Sequence, residues 1–317
     1  MSGTFCFAAR TPATAGDSGR AGGVLAAAVA ALGASAFIAQ VTLMRELLSV
    51  FSGNELVFGI VLGVWLLLTG FGSCAGQTAR RLARPLEIFL AAQVLVGILP
   101  IVAVFLVRAL RNVIFLPGTT LGITETVLSC FVLLGPYCVL VGYLLPLASL
   151  VLAGSDEMGS IGRVYFLDNV GAVAGGMVFS FILLGRLEHF AILYLPALVN
   201  LGLACLIAWL SARRRGAIAA AGLAIALAAV GTGGDWEGFS TRLQYPGQAI
   251  VWQGNSPYGR LVVTHLAGQY NFLENGVVLF SGNNVQSVEE TVHYAMAQRP
   301  QAARVLLLGG GIAGTAR

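Results

Sequence analysis

Long apolar runs fill about the first three quarters of the chain, and shorter alternating runs fill the remainder. Seven runs approach the roughly 20 residues a helix needs to cross a bilayer core. They are residues 24–44, 56–79, 88–107, 126–152, 169–185, 190–212 and 216–234. The last is rich in alanine and weakly apolar, so the pattern predicts six or seven transmembrane helices. The first run exceeds the 7–15 residues typical of a signal-peptide core and no clear cleavage site follows it, so it reads as a retained helix.

Several runs carry glycines four apart, Gly59 with Gly63, Gly72 with Gly76, and Gly171 with Gly175. On a helix such pairs form a smooth stripe that lets another backbone approach, which is how helices associate in lipid. Close packing is the expectation, with a glycine-lined passage as the alternative. The charges fall at helix ends: Arg45-Glu46, Arg80-Arg81-Arg84, Arg108, Arg111 and Arg213 to Arg215 read as interfacial, and Glu125 and Asp168 as helix starts. A polar cluster inside the bundle, built from Gln40 with Arg45 or Asp168 with Asn169, is the competing reading.

After Asp235 the pattern changes. "GRLVVTHL" (259–266) and "YNFLENGVVLFSG" (270–282) read as strands, and Asn275-Gly276 suits a type I′ hairpin, whose two central residues need positive φ. "VEETVHYAMAQ" (288–298) reads as a helix stopped by Pro300, and Val305 to Leu308 as a buried strand running into Gly309-Gly310-Gly311. Glycines after a strand let the backbone turn tightly and approach a ligand.

Composition sharpens the class. Hydrophobic residues make up 57% of the chain and charged residues 10%, against roughly half and a quarter in soluble domains. All 18 basic residues are arginine, and the tail balances its own, leaving no basic stripe for nucleic acid. Nine arginines fall on the side of the N-terminus and the even connections, and four on the other. The positive-inside rule then places the N-terminus in the cytoplasm, with the tail inside for six crossings and outside for seven. The five cysteines lack metal or redox spacing and read as small hydrophobes. No metal site is expected. His189 and His265 have no partner legible in the sequence.

Taken in order, "SPYGRLVV", "LENGVVLFS", "EETVHYAM" and "RVLLLGGGIAG" resemble the start of the spermidine synthase (polyamine aminopropyltransferase) family. "GASAFIAQVTLMRELLSVFSG" and "GRVYFLDNVGAVAGG" resemble the multi-helix region of bacterial proteins that fuse a transporter-like membrane domain to a spermidine synthase-like domain. The resemblance implies a polytopic α-helical membrane domain, a small antiparallel β-domain, and the first strand and glycine loop of a Rossmann-like, methyltransferase-type domain. The expected division is a polar segment 1–23, helices 24–234, β-domain with a helix 235–300, and an incomplete nucleotide-binding domain 301–317.

By resemblance, Gly309, Gly310, Gly311 and Gly314 match the loop that meets the nucleoside of decarboxylated S-adenosylmethionine, or of a related co-substrate. Ile312 stands where the family's acid would hold the aminopropyl amine. Tyr258-Gly259 matches a Tyr-Gln pair without its amide, and Glu289 and Glu290 match the acids of "DExxYHE", followed by His293-Tyr294-Ala295 where the family has Tyr-His-Glu. Tyr258, Glu289, Glu290, His293 and Tyr294 are therefore the candidate substrate residues, with His293 weighed also as a plain helix-face residue. The family's catalytic aspartate is expected beyond Arg317. The chain thus reads as a C-terminally truncated, inactive piece of a membrane-bound transferase of polyamine metabolism in the bacterial inner membrane. The alternative is a transporter-like or scaffold protein with a non-catalytic spermidine synthase-like domain. The expected partners are the lipid bilayer and a polyamine or S-adenosyl-type small molecule, with a homo-oligomer left open.

Overall fold

A computed structural model describes residues 15–51, 55–115, 121–153 and 157–308. Its helical part comprises α1 (Ala15–Val50), α2 (Glu55–Ala75), α3 (Pro85–Ile114), α4 (Ile123–Leu152), α5 (Glu157–Val178), α6 (His189–Leu210) and α7 (Arg214–Gly233). A 3-10 segment Gly76–Arg81 prolongs α2, and a π-helical turn Phe179–Leu183 prolongs α5. Among the described residues, seven helices are long and apolar enough to cross a membrane. The seventh matches the weak run at 216–234: α7 buries only Ala217 and Ala220.

Packing pairs α2 with α4, α1 with α5, and α6 with both α3 and α7. Glycines set two of these contacts. A Cβ on Gly72 would strike the carbonyl oxygen of Val139, and one on Gly171 that of Ala30. Gly76 meets the ring of Pro146 and Gly175 the backbone of Ala34. Gly59 and Gly63 have nothing within 4 Å of where a Cβ would stand, so their stripe faces no neighbouring helix.

The fifth helix differs from expectation. It begins at Glu157, well before 169, so Asp168 lies inside a helix rather than at its start. The apolar run marks only the more hydrophobic part of the helix, whereas the backbone stays helical through the more polar "EMGSIGRVYFLD".

Beyond α7 a short helix α8 (Trp236–Gln244) leads to strands β1 (Ala249–Asn255), β2 (Arg260–Leu266), β3 (Gln269–Glu274) and β4 (Val277–Ser281), and then to α9 (Val285–Ala297). Asp235 caps α8 by accepting from Gly238 N at 2.8 Å. The strands form one antiparallel sheet in sequence order. The hairpin turn falls at Asn275 (φ 49°) and Gly276 (φ 77°), the positive φ pair the sequence called for. Tyr245, Val262 and Leu273 make the sheet's small core.

Residues 305–308 were expected to form a buried strand. They are without regular structure, and Leu306 and Leu308 are more than four-fifths exposed. A lone strand has no ladder to join, and among the described residues none pairs with this segment.

The tail docks where α1 and α3 end and α6 begins. The N-terminal start of α1 lies at the opposite end of the bundle, since α1 runs its full length between the two. Arg45 near the end of α1 donates to the carbonyls of Ser256 (2.6 Å) and Pro257 (3.2 Å). Asn112 near the end of α3 donates to the carbonyls of Leu243 (3.0 Å) and Gln244 (2.7 Å).

Candidate functional site

Five ionisable side chains from five elements meet at that docking end: Glu46 (α1), Arg108 (α3), His189 (α6), Glu237 (α8) and Arg260 (β2). Glu46, Arg108 and His189 have no solvent exposure, and the other two are buried. Each sits where its helix or strand meets the interface, which sets its reach. Glu46 lies on the last turns of α1, Arg108 two turns from the end of α3, and His189 is the first residue of α6.

Arg108 is the hub. Its Nε donates to Glu46 Oε2 at 2.9 Å and its Nη1 to Ser240 Oγ at 2.8 Å. Its Nη2 bridges Glu46 Oε1 and Glu237 Oε1, the latter at 2.6 Å. The guanidinium also lies 5.3 Å over the Phe190 ring, a cation–π placement. Arg260 donates Nη1 to Gln244 Oε1 at 2.9 Å and Nη2 to Thr241 Oγ1, and stands 3.4 Å from Glu237 and 3.9 Å from Glu46. Burial draws the Arg260 guanidinium below its ordinary value, and the neighbouring Arg108 adds to this.

His189 offers Nδ1 to Glu46 Oε1, and its Nε2 is buried without a partner. Tyr245 closes the cluster from the sheet side, its hydroxyl buried and unpartnered and its pKa raised chiefly by burial. At the edge, Glu188 is held above the ordinary glutamate value by burial first, then by the like charges of Glu237 and Asp235.

Two guanidiniums thus face two carboxylates with most donors used. Buried charge is tolerated only when paired and hydrogen-bonded in this way. With no solvent exposure at Glu46, Arg108 or His189, the cluster acts as a clasp between helices and sheet. Sequence reading placed Arg45-Glu46 and Arg108 at the interface with solvent and gave His189 no partner. The structure corrects both, because the tail covers that end of the bundle. The signal available in the sequence was weak: acids and arginines at the ends of alternate apolar runs, with Glu237 and Arg260 just beyond the last. His265, also without a partner in the sequence reading, has its ring centroid 4.7 Å from that of Tyr270, with the planes tilted by 46°.

The residues singled out for substrate lie elsewhere. Tyr258, 88% exposed, sits in the β1–β2 turn. Glu289, Glu290, His293 and Tyr294 are exposed on α9, where Glu290 accepts from Gln286 at 3.3 Å. No hydrogen bond, ion pair or ring contact among the described residues joins Tyr258 to those four. A 300 Å³ hollow lies between β4 and α9, lined by Val278, Ser281, Asn284, Ser287 and Thr291, and it excludes the four candidates on that helix. Gly309, Gly310, Gly311 and Gly314 lie outside the described residues.

A different polar site lies within the bundle. Asp168 and Gln40, whose side chains have no hydrogen bond or ion pair among the described residues, line a 180 Å³ cavity together with Phe37 and Trp65. Elsewhere in the bundle Asn200 donates to Ser35 Oγ at 2.6 Å and Gln93 donates to Asn200 Oδ1 at 3.4 Å, while Gln93 Oε1 is buried without a partner among the described residues.

No family model and no solved structure matches the chain. Among curated proteins it is 30% identical over 295 residues to Polyamine aminopropyltransferase 2 of Ralstonia nicotianae, a match covering 88% of this chain and 55% of the relative. Polyamine aminopropyltransferase 1 of the same organism matches at 30% over 295 residues, covering 88% of this chain and 54% of its own. The chain therefore spans about half the length of the curated relatives it matches. That likeness is distant and runs through most of the chain.

Proposed function

We propose that this is a multi-pass membrane protein of the fused subgroup, whose tail is spermidine synthase-like and serves an aminopropyltransferase-type reaction of polyamine metabolism. One observation carries the reading. The match covers 88% of the chain, whereas the tail is about a quarter of it, so the likeness extends well into the helices. Seven apolar helices are compatible with a multi-pass protein.

In this reading the glycines 309–311 and 314 meet the nucleoside of decarboxylated S-adenosylmethionine or a related co-substrate. Tyr258 and the acids and ring groups of α9 approach the amine. Residues 1–317 alone carry out no transfer. The test is spermidine formation from putrescine and decarboxylated S-adenosylmethionine, in membranes holding either the product of the native gene or residues 1–317. Product from the first and none from the second supports the reading, and product from neither overturns it.

A second reading, a transporter-like or scaffold protein with a non-catalytic tail, is favoured by the docking geometry. The tail packs at the end of α1 opposite its start, and the arginines of the α2–α3 and α6–α7 connections lie at the start end. By the positive-inside rule that end is cytoplasmic and the tail is outside, away from cytosolic S-adenosyl nucleosides. A C-terminal alkaline phosphatase fusion decides: phosphatase activity supports the second reading, and its absence with fluorescence from a C-terminal fluorescent protein supports the first.

A further inference from the structure

Asp168 is an ionisable side chain within an apolar span that neither the clasp nor the tail accounts for. It lies nine residues into the apolar span Gly159–Leu183, about 14 Å along at 1.5 Å per residue. Its backbone is pressed against α1, where a Cβ on Gly33 would collide with the Asp168 carbonyl oxygen. Its side chain lines a cavity to which α1, α2, α3, α4 and α5 all contribute. Among the described residues neither arginine nor histidine lines that cavity, and Asp168 makes no ion pair with any of them.

A carboxylate in an apolar span costs several kcal/mol unless something answers its charge. The other lining groups indicate what could. Gln40 offers an amide oxygen with no hydrogen bond, and Trp65 and Phe37 bring aromatic rings to the same space. Acceptor oxygens beside aromatic rings suit a compact cation with several N–H donors. An anion is disfavoured by Asp168 itself. At 180 Å³ the space is smaller than the roughly 300 Å³ at which drug-sized ligands begin, so an alkylammonium group fits where a nucleoside does not.

We propose that this cavity binds the ammonium group of an aliphatic amine, with Asp168 as counter-ion and Gln40 as a second acceptor. The choice of polyamines as the natural amines rests on the function proposed above, whereas the site itself rests on the cavity.

The test uses the full chain in detergent micelles, with an apolar diazo reagent that esterifies protonated carboxyl groups and does not couple amines to them, and mass spectrometry to locate the label. Putrescine and butylamine are added separately, with sodium chloride and the uncharged butanol as comparisons. Protection of Asp168 by both amines and not by butanol is the expected result. Amine titrations followed by Trp65 fluorescence should weaken at least tenfold in Asp168→Asn and less in Asp168→Glu. Equal labelling with and without amine, or unchanged affinity in Asp168→Asn, overturns the proposal. Protection by sodium alone overturns the ammonium assignment in favour of an inorganic cation. Protection by butylamine without spermidine synthesis in the transfer assay leaves this site standing and removes the polyamine reading.

Discussion

Arg108 and Glu46 lie 62 residues apart in sequence, on α3 and α1, and meet at 2.9 Å through Nε and Oε2 with both side chains shielded from solvent. Ion pairs so deep are costly to form and costlier to half-remove, because the partner left behind keeps its charge without an answer. Arg108→Leu should therefore destabilise by about 3–5 kcal/mol, the range for breaking a buried pair. Adding Glu46→Leu to it should recover part of that loss. Thermal unfolding in detergent of the single and double variants measures this, and strictly additive losses would show that the two side chains do not depend on each other.

Arg260 ties the sheet to that pair. It reaches Gln244 and Thr241 on α8 and stands within ion-pair range of Glu237 and Glu46. Arg260→Met keeps most of the side-chain volume and removes the charge. It should loosen the tail while the helices hold, which hydrogen exchange would record as faster exchange in β1 to β4 with α2 and α4 unchanged. Uniform slowing or speeding across the whole chain would argue against a local clasp.

Glu188 supplies a pH dependence. Its folded-state pKa is raised by burial and by Glu237 and Asp235, so the folded protein holds this proton more tightly than the unfolded chain does. The associated stability is present below the ordinary glutamate value of about 4.3 and is lost as pH rises through the folded value. Glu188→Gln should remove that decline, so the advantage of the variant over wild type grows from pH 4 to pH 7. Melting curves across that range test it, and a constant offset would rule the assignment out.

Two glycines of the same sequence type should behave oppositely. At Gly171 any side chain meets the Ala30 carbonyl, so Gly171→Leu should separate α1 from α5 and lower the yield of folded protein. At Gly59 the space is open, so Gly59→Ala should be neutral or stabilise by up to about 1 kcal/mol through helix propensity. Size-exclusion profiles and melting temperatures of the two variants compare them directly.

Much of this protein could be read along the chain. Apolar run length marked six or seven helices where the described residues hold seven, Asn275-Gly276 marked the hairpin, and Pro300 bounded α9, because each depends on residues adjacent in sequence. The extent of α5, the helix α8 and the strand β1 were less legible, since polar or mixed stretches take their conformation from what they pack against.

Sequence by itself determined that the chain is mostly apolar helix followed by a small β-domain, because hydropathy and turn chemistry are local. Only the tertiary structure decided that Glu46, Arg108, His189, Glu237 and Arg260 share one buried cluster, and that Asp168 lines a cavity between five helices. Those relationships join residues as many as 214 positions apart. Whether a charge at the end of an apolar run is solvated or buried depends on what covers that end, and here the tail covers one end of the bundle.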